Sequence, residues 1–145
     1  MKTREEALKY GLSFEGAFHD APFHDDNWQL VRYAGNKKAF LWTYEKDGFI
    51  NLNVKVDPEK AFFWRDMYKA VVPGYHQNKD NWNTVILDGS IPDKDIKMMI
   101  AESYDLVSYS PSKTSISLLS SVRVTIAFFV AAVLPKVIPR RFVFP

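Results

Sequence analysis

Residues 73–89 read PGYHQNKDNWNTVILDG, and Tyr75, His76, Gln77, Asn78, Lys79 and Trp82 crowd into the middle of that run. Aromatic rings beside Lys, Asn and His donors are what a nucleic-acid contact uses: rings stack on bases, and donors meet phosphates and base edges. The hairpin turn Gly35-Asn36-Lys37-Lys38 would add a basic wing tip. The same residues also suit a loop that only holds itself together. Asn78 would then bond its own backbone, Trp82 would open a strand as core, and Lys37 and Lys38 would keep a hairpin soluble. Pattern alone leaves both readings open.

Two other chemistries are weaker. The stretch FHDAPFHDD (18–26) offers His19, Asp20, His24, Asp25 and Asp26, a mixed nitrogen and oxygen donor set that suits several divalent ions. Its spacing matches neither HExxH nor an EF-hand loop, so a solvated acidic loop anchored by Pro22 and Phe23 explains it as well. For catalysis there is no GxSxG, no phosphate-binding loop and no GxGxxG. Before residue 108 the only serines are Ser13, Ser90 and Ser103, with no base placed beside them by sequence. His76 with Asp80 or Asp88 is the one acid/base pairing the order of residues allows. With no Cys in the chain, thiolate metal sites, disulfides and a Cys nucleophile are excluded. The expectation is a non-enzymatic protein without a cofactor.

The elements that must carry these residues can be read from the pattern. Thr3-Arg4-Glu5-Glu6 is a capping box, and a helix over about 3–14 follows. Residues 15–27 read as a polar loop. WQLVRY (28–33), KAFLWTYE (38–45) and FINLNVKV (49–56) read as three strands joined by short turns, which makes an antiparallel meander. In the third, Ile50, Leu52, Val54 and Val56 alternate with Asn51, Asn53 and Lys55, predicting one buried and one solvated face. Asp57-Pro58-Glu59 starts a helix to about Val71, which Pro73-Gly74 stops. NTVILDG (83–89) is a fourth strand. A last helix opens near Pro92-Asp93 and runs to about Val107, with Ile96, Met99, Ile100, Tyr104 and Val107 as its apolar stripe. The fold class is α+β, an antiparallel sheet covered by helices on one face.

Charge divides the chain at the same place. All 17 acidic residues lie at or before Asp105. Residues 1–107 hold 14 Lys and Arg, a net charge of −3, while residues 108–145 hold five basic residues and no acid. A net negative domain is poor ground for strong nonspecific nucleic-acid binding. Residues 108–121 hold seven Ser, and an apolar, basic stretch follows. Ile116 to Leu134 approaches membrane-helix length, but Arg123 interrupts it. A membrane-associated anchor, an added element packed on the domain and a poorly ordered extension all remain open for it. The charged start MKTREEALKYG lacks the apolar core of a secretory signal, so a cytoplasmic location is expected.

Residues 1–107 resemble the MmcQ/YjbR family of small bacterial proteins. The likeness rests on Gly16-Ala17, Pro22-Phe23 with Trp28, Gly35-Asn36-Lys37-Lys38, Asn51-Leu52, Asp57-Pro58 and, above all, Pro73-Gly74-Tyr75-His76, Asn78-Lys79 and Trp82-Asn83-Thr84. Leu87-Asp88-Gly89-Ser90-Ile91-Pro92-Asp93 and Ser103-Tyr104-Asp105-Leu106-Val107 extend it. The resemblance implies a frataxin-like (CyaY-like), double-wing architecture and a role in binding DNA. On it, the expected nucleic-acid-binding residues are Lys37, Lys38, Tyr75, His76, Asn78, Lys79 and Trp82. Lys79 would meet phosphate, Asn78 and His76 would donate hydrogen bonds, and Tyr75 and Trp82 would stack or brace. The alternatives are a module that binds a protein or small ligand through the same loop, and frataxin-like binding of a divalent metal through loop 19–26 with Glu5 and Glu6. A monomer is expected.

Overall fold

The structure, a computed structural model, describes residues 1–109. The expectations for the apolar, basic stretch lie outside the described residues. The element order is α1 (Arg4–Leu12), β1 (Ala17–Asp20), β2 (Gln29–Tyr33), β3 (Ala39–Lys46), β4 (Phe49–Lys55), α2 (Pro58–Met67), β5 (Val71–Pro73), β6 (Trp82–Ile86) and α3 (Asp93–Ser108).

The six strands form one sheet in the order β1-β2-β3-β4-β6-β5, with every neighbouring pair antiparallel. The α+β class therefore holds, with two more strands than the sequence pattern gave. β1 replaces part of the expected loop 15–27. It is a short edge strand, and an edge strand exposed to solvent has no need of the apolar alternation that would announce it. β5 replaces the end of the expected second helix. Tyr68 leaves helical geometry at φ −132°, ψ 128°. Val71 and Val72 then pair with Val85 and Thr84. Two β-branched residues ahead of a proline favour extended backbone, and Pro73 is tolerated because β5 is an edge strand.

The helices start as their sequences dictate. Thr3 Oγ1 accepts from the Glu6 backbone N–H at 3.1 Å, and Glu6 Oε1 accepts from the Thr3 N–H at 3.0 Å. Asp57 Oδ1 accepts from Glu59 N–H at 2.9 Å, with Pro58 in the first turn. All three helices contribute to one core. Ala7 of α1, Ala61 and Trp64 of α2, and Ile96, Met99 and Ile100 of α3 pack with Val31, Leu41, Leu52, Val54 and Val85 of the sheet. Ser103 fastens α3 to the sheet. Its hydroxyl donates to Phe40 O at 2.6 Å and accepts from Lys55 N–H at 2.8 Å. It is fully buried, which makes it structural. With the helices on one face, alternation sends Trp42, Tyr44, Asn51, Asn53 and Thr84 to the other. That second face positions the site.

Candidate functional site: an aromatic cleft on the uncovered face of the sheet

The face predicted to be solvated is not. Asn53 and Thr84 are 0% and 2% exposed, and Asn51 is 4% exposed. The loop after β5 folds back across them. Asn53 Nδ2 donates to Tyr75 O at 2.8 Å, Thr84 Oγ1 accepts from Tyr75 N–H at 2.8 Å, and Thr84 Oγ1 donates to Asn53 Oδ1 at 2.6 Å. The Tyr44 hydroxyl adds a further donor to Asn53 Oδ1 at 3.1 Å. Amide and hydroxyl groups can be buried here because each finds a partner. Burial pushes the Tyr44 hydroxyl up to about 12.

Aromatic rings close over this polar layer. Trp28 stacks on Tyr44 with centroids 4.3 Å apart, and Tyr75 stacks on Tyr44 at 5.6 Å. His76 lies 4.0 Å from Tyr75 and 6.2 Å from Trp28. Trp42 meets Trp28 edge-on at 6.2 Å and Phe23 at 6.0 Å. Phe23, Asp25, Trp28, Trp42, His76 and Gln77 surround an open cleft of about 390 Å³. The indole N–H of Trp42 is buried and has no hydrogen-bond partner.

The expected site residues are thus divided. Tyr75 and His76 join the aromatic layer, and His76 holds a left-handed φ of 59°. Asn78 is exposed, and its Oδ1 accepts from Asp80 N–H at 2.9 Å and from Asn81 Nδ2 at 3.4 Å, a loop-capping role. Lys79 turns its ammonium onto the carbonyl of Gly74, and its own carbonyl accepts from Arg65. Arg65 in turn donates to Asn83 Oδ1 at 2.7 Å. These bonds tie the loop to α2 and β6. Trp82 is half-buried at the start of β6, packed so tightly that a Cβ on Gly74 would lie 2.7 Å from its own Cβ. Lys37 and Lys38 are exposed on the β2–β3 turn, at the opposite end of β2 from Trp28, with Lys37 Nζ 5.8 Å from the Phe18 ring. The seven residues do not form one surface.

Neither alternative acid/base nor metal chemistry is assembled nearby. The ion pairs among the described residues are Met1–Asp93, Arg32–Asp20 and Lys46–Asp47, and none involves His76. No group of three or more His, Asp or Glu that could hold a metal occurs among the described residues. Asp20 is taken by Arg32 at 2.6 Å, and Glu6 by the α1 cap.

Phe23, Trp28, Trp42, Tyr44, Asn53 and Thr84 were not singled out as site residues from the sequence. One signal was present. In 38–45, Trp42 and Tyr44 alternate with Leu41 and Thr43, so both faces of that strand are fit for burial. A strand buried on both sides requires a second layer, here the loop and its rings.

A family model described as YjbR matches residues 12–106. The Escherichia coli protein YjbR is 32% identical over 102 residues, covering 70% of this chain and 84% of the relative. The Bacillus subtilis protein YyaQ is 29% identical over 117 residues, covering 73% of this chain and 98% of the relative. The crystal structure of the Deinococcus radiodurans protein DR2400, with a DUF419 domain, superposes with a TM-score of 0.70 at 27% identity, covering 83% of this chain and 89% of that one. A Pseudomonas syringae structure shares the fold, with a TM-score of 0.65 at 23% identity, over 72% of this chain and 98% of that one. No helix among the described residues is long and apolar enough to cross a membrane.

Proposed function

The chain belongs to the YjbR family, and on that premise we propose that it is a non-enzymatic binding module whose ligand is a small, flat, largely apolar group seated in the aromatic cleft. The observation that carries this reading is the cleft bordered by Phe23, Trp28, Trp42 and His76, a concave aromatic surface with few polar groups. Its only fixed charge is the carboxylate of Asp25, so the cleft suits a neutral or cationic guest. The test is a titration of the protein with indole, followed by nitrogen–proton correlation NMR. Shifts concentrated at Trp28, Trp42 and His76, and lost in Trp28→Ala, are the expected result. Shifts scattered over the surface, or none, would overturn it.

DNA is the second reading. Tyr75 and His76 are exposed aromatic groups on the same face, and Lys46 stands 5.2 Å from the Tyr75 ring, so a stacked base with a phosphate nearby has partners there. The double-wing likeness inferred from the sequence supports it only by analogy of fold. It is weakened by Lys79, whose ammonium is bonded to the Gly74 carbonyl, and by the net charge of −3 over residues 1–107. Titration of single-stranded DNA into a chain ending at Tyr109 separates the readings, because that chain omits all five basic residues of the C-terminal stretch. Binding that weakens with salt and with Tyr75→Ala would favour DNA. Absence of binding at low salt would remove it.

A further inference from the structure

Trp42 presents an unusual combination. Its ring borders the cleft, yet its indole N–H is shut away from water and has no acceptor. A buried donor without a partner is unfavourable, and most buried N–H groups avoid that state. The surrounding polar layer shows what satisfaction looks like here: Asn53, Thr84 and Tyr44 all bond one another or the Tyr75 backbone. Trp64, the indole packed in the core on the helix face, gives its N–H to Glu102 at 3.2 Å. Among the described residues, Trp42 alone holds a buried polar side-chain atom left unpaired.

We propose that the missing acceptor is supplied by the ligand, and that the cleft is built for an uncharged or cationic nitrogen heteroaromatic with an in-plane acceptor that receives the Trp42 N–H. The proposal rests on the cleft reading above and narrows it. Planarity follows from walls made of Trp28, Trp42, Phe23 and His76. The charge preference follows from Asp25, whose carboxylate can receive a ring or exocyclic N–H and disfavours anions. Access follows from Phe23. Its ring leans on Trp42 at 6.0 Å, is 48% exposed, and is carried by the loop between β1 and β2. Phe23 is an exposed wall in contact with Trp42, so on this proposal its displacement would admit the acceptor to the indole. The larger hollow of about 730 Å³ beside α2 and α3, bordered by Phe63, Met67 and Met98, offers apolar area but no unpaired buried donor.

Indole and azaindole have the same shape, and only azaindole carries a pyridine-type acceptor. The full chain would be titrated with each while the four indole N–H resonances are followed by NMR, with Trp42 identified by the signal missing in Trp42→Phe. The expected result is that azaindole binds about tenfold more tightly and moves the Trp42 N–H downfield. In Trp42→Phe the two compounds would bind equally. Phe23→Ala would speed solvent exchange of the Trp42 N–H. Equal affinities in the native chain with the Trp42 signal unmoved, while Trp28 and His76 respond to both compounds, would overturn the acceptor assignment and leave the cleft standing. No response to either compound would overturn both. The comparison in the native chain decides the matter even if Trp42→Phe fails to fold, since Trp28→Phe, Trp64→Phe and Trp82→Phe then leave the Trp42 signal by elimination.

Discussion

Asn53 is the residue on which the uncovered face turns. Its amide bonds the Tyr75 carbonyl and receives the hydroxyls of Tyr44 and Thr84. Replacing it by Ala strips a partner from the buried hydroxyls of Tyr44 and Thr84 and from the part-buried Tyr75 carbonyl. Asn53→Ala should cost about 1–3 kcal/mol per group left unsatisfied, read as a lowered urea midpoint, with the resonances of Tyr75 and His76 broadened or shifted. An unchanged midpoint would mean that water replaces the amide. Tyr44 gives a second test at this scale. Its hydroxyl is raised from 10.0 to about 12 by burial. The folded state therefore keeps this proton where the unfolded state loses it. Stability from this group is complete below pH 10 and falls as pH rises through about 12. Tyr68 and Tyr104 are raised too, so ultraviolet titration should show several tyrosines ionising late, and Tyr44→Phe should shrink that late phase by one. The sequence shows the alternation that put Asn53 opposite Leu52 and Val54. It does not show that a loop more than twenty residues away would cover it.

At the scale of the elements, α1 depends on its cap. Glu6 is held near 2, first by the backbone N–H of Lys2, then by the backbone and side chain of Thr3. A lowered carboxylate value means stability that is present above 4.5 and lost as pH falls toward about 2. Glu6→Gln should flatten that part of an acid unfolding curve; an unchanged acid limb would show the cap to be idle. Thr3→Ala should cost about 1 kcal/mol at neutral pH. The loop between β5 and β6 depends on Gly74. A Cβ there would lie 2.7 Å from Trp82 Cβ and 3.0 Å from Trp82 O, so backbone must move. Gly74→Ala should destabilise the fold and shift Tyr75 and His76, while Gly48→Ala, where nothing lies within 4 Å but φ is 82°, should perturb only its own turn. Both caps were legible in the sequence because capping is local. β5 and β1 were missed because short edge strands gain their hydrogen bonds from partners distant in sequence.

For the whole molecule, the sheet is sandwiched between helices on one side and a loop-and-ring layer on the other. The core on the helix face and the aromatic layer share β3 and β4, so they should unfold together. Far-ultraviolet circular dichroism and tryptophan fluorescence of the chain ending at Tyr109 should give coincident urea transitions. An earlier fluorescence transition would mean that the aromatic layer opens without the sheet. The charge of residues 1–107 sets expectations for partners at this scale as well: a net −3 favours a compact guest over a polyanion.

By itself the sequence determined the α+β class, the meander from Gln29 to Lys55, the helix starts and the family, because these rest on periodicity, caps and motifs that neighbouring residues settle. Only the tertiary structure decided where the chemistry lies. Lys79 and Asn78 look free in the sequence, but in the fold the Lys79 ammonium and the Asn78 side-chain oxygen bond the backbone of their own loop while both residues stay exposed. Phe23, Trp28 and His76 lie on loops and Trp42 on β3, and they meet only once the chain is folded. Convergence of side chains from separate loops onto a strand is a long-range property, and no local pattern encodes it.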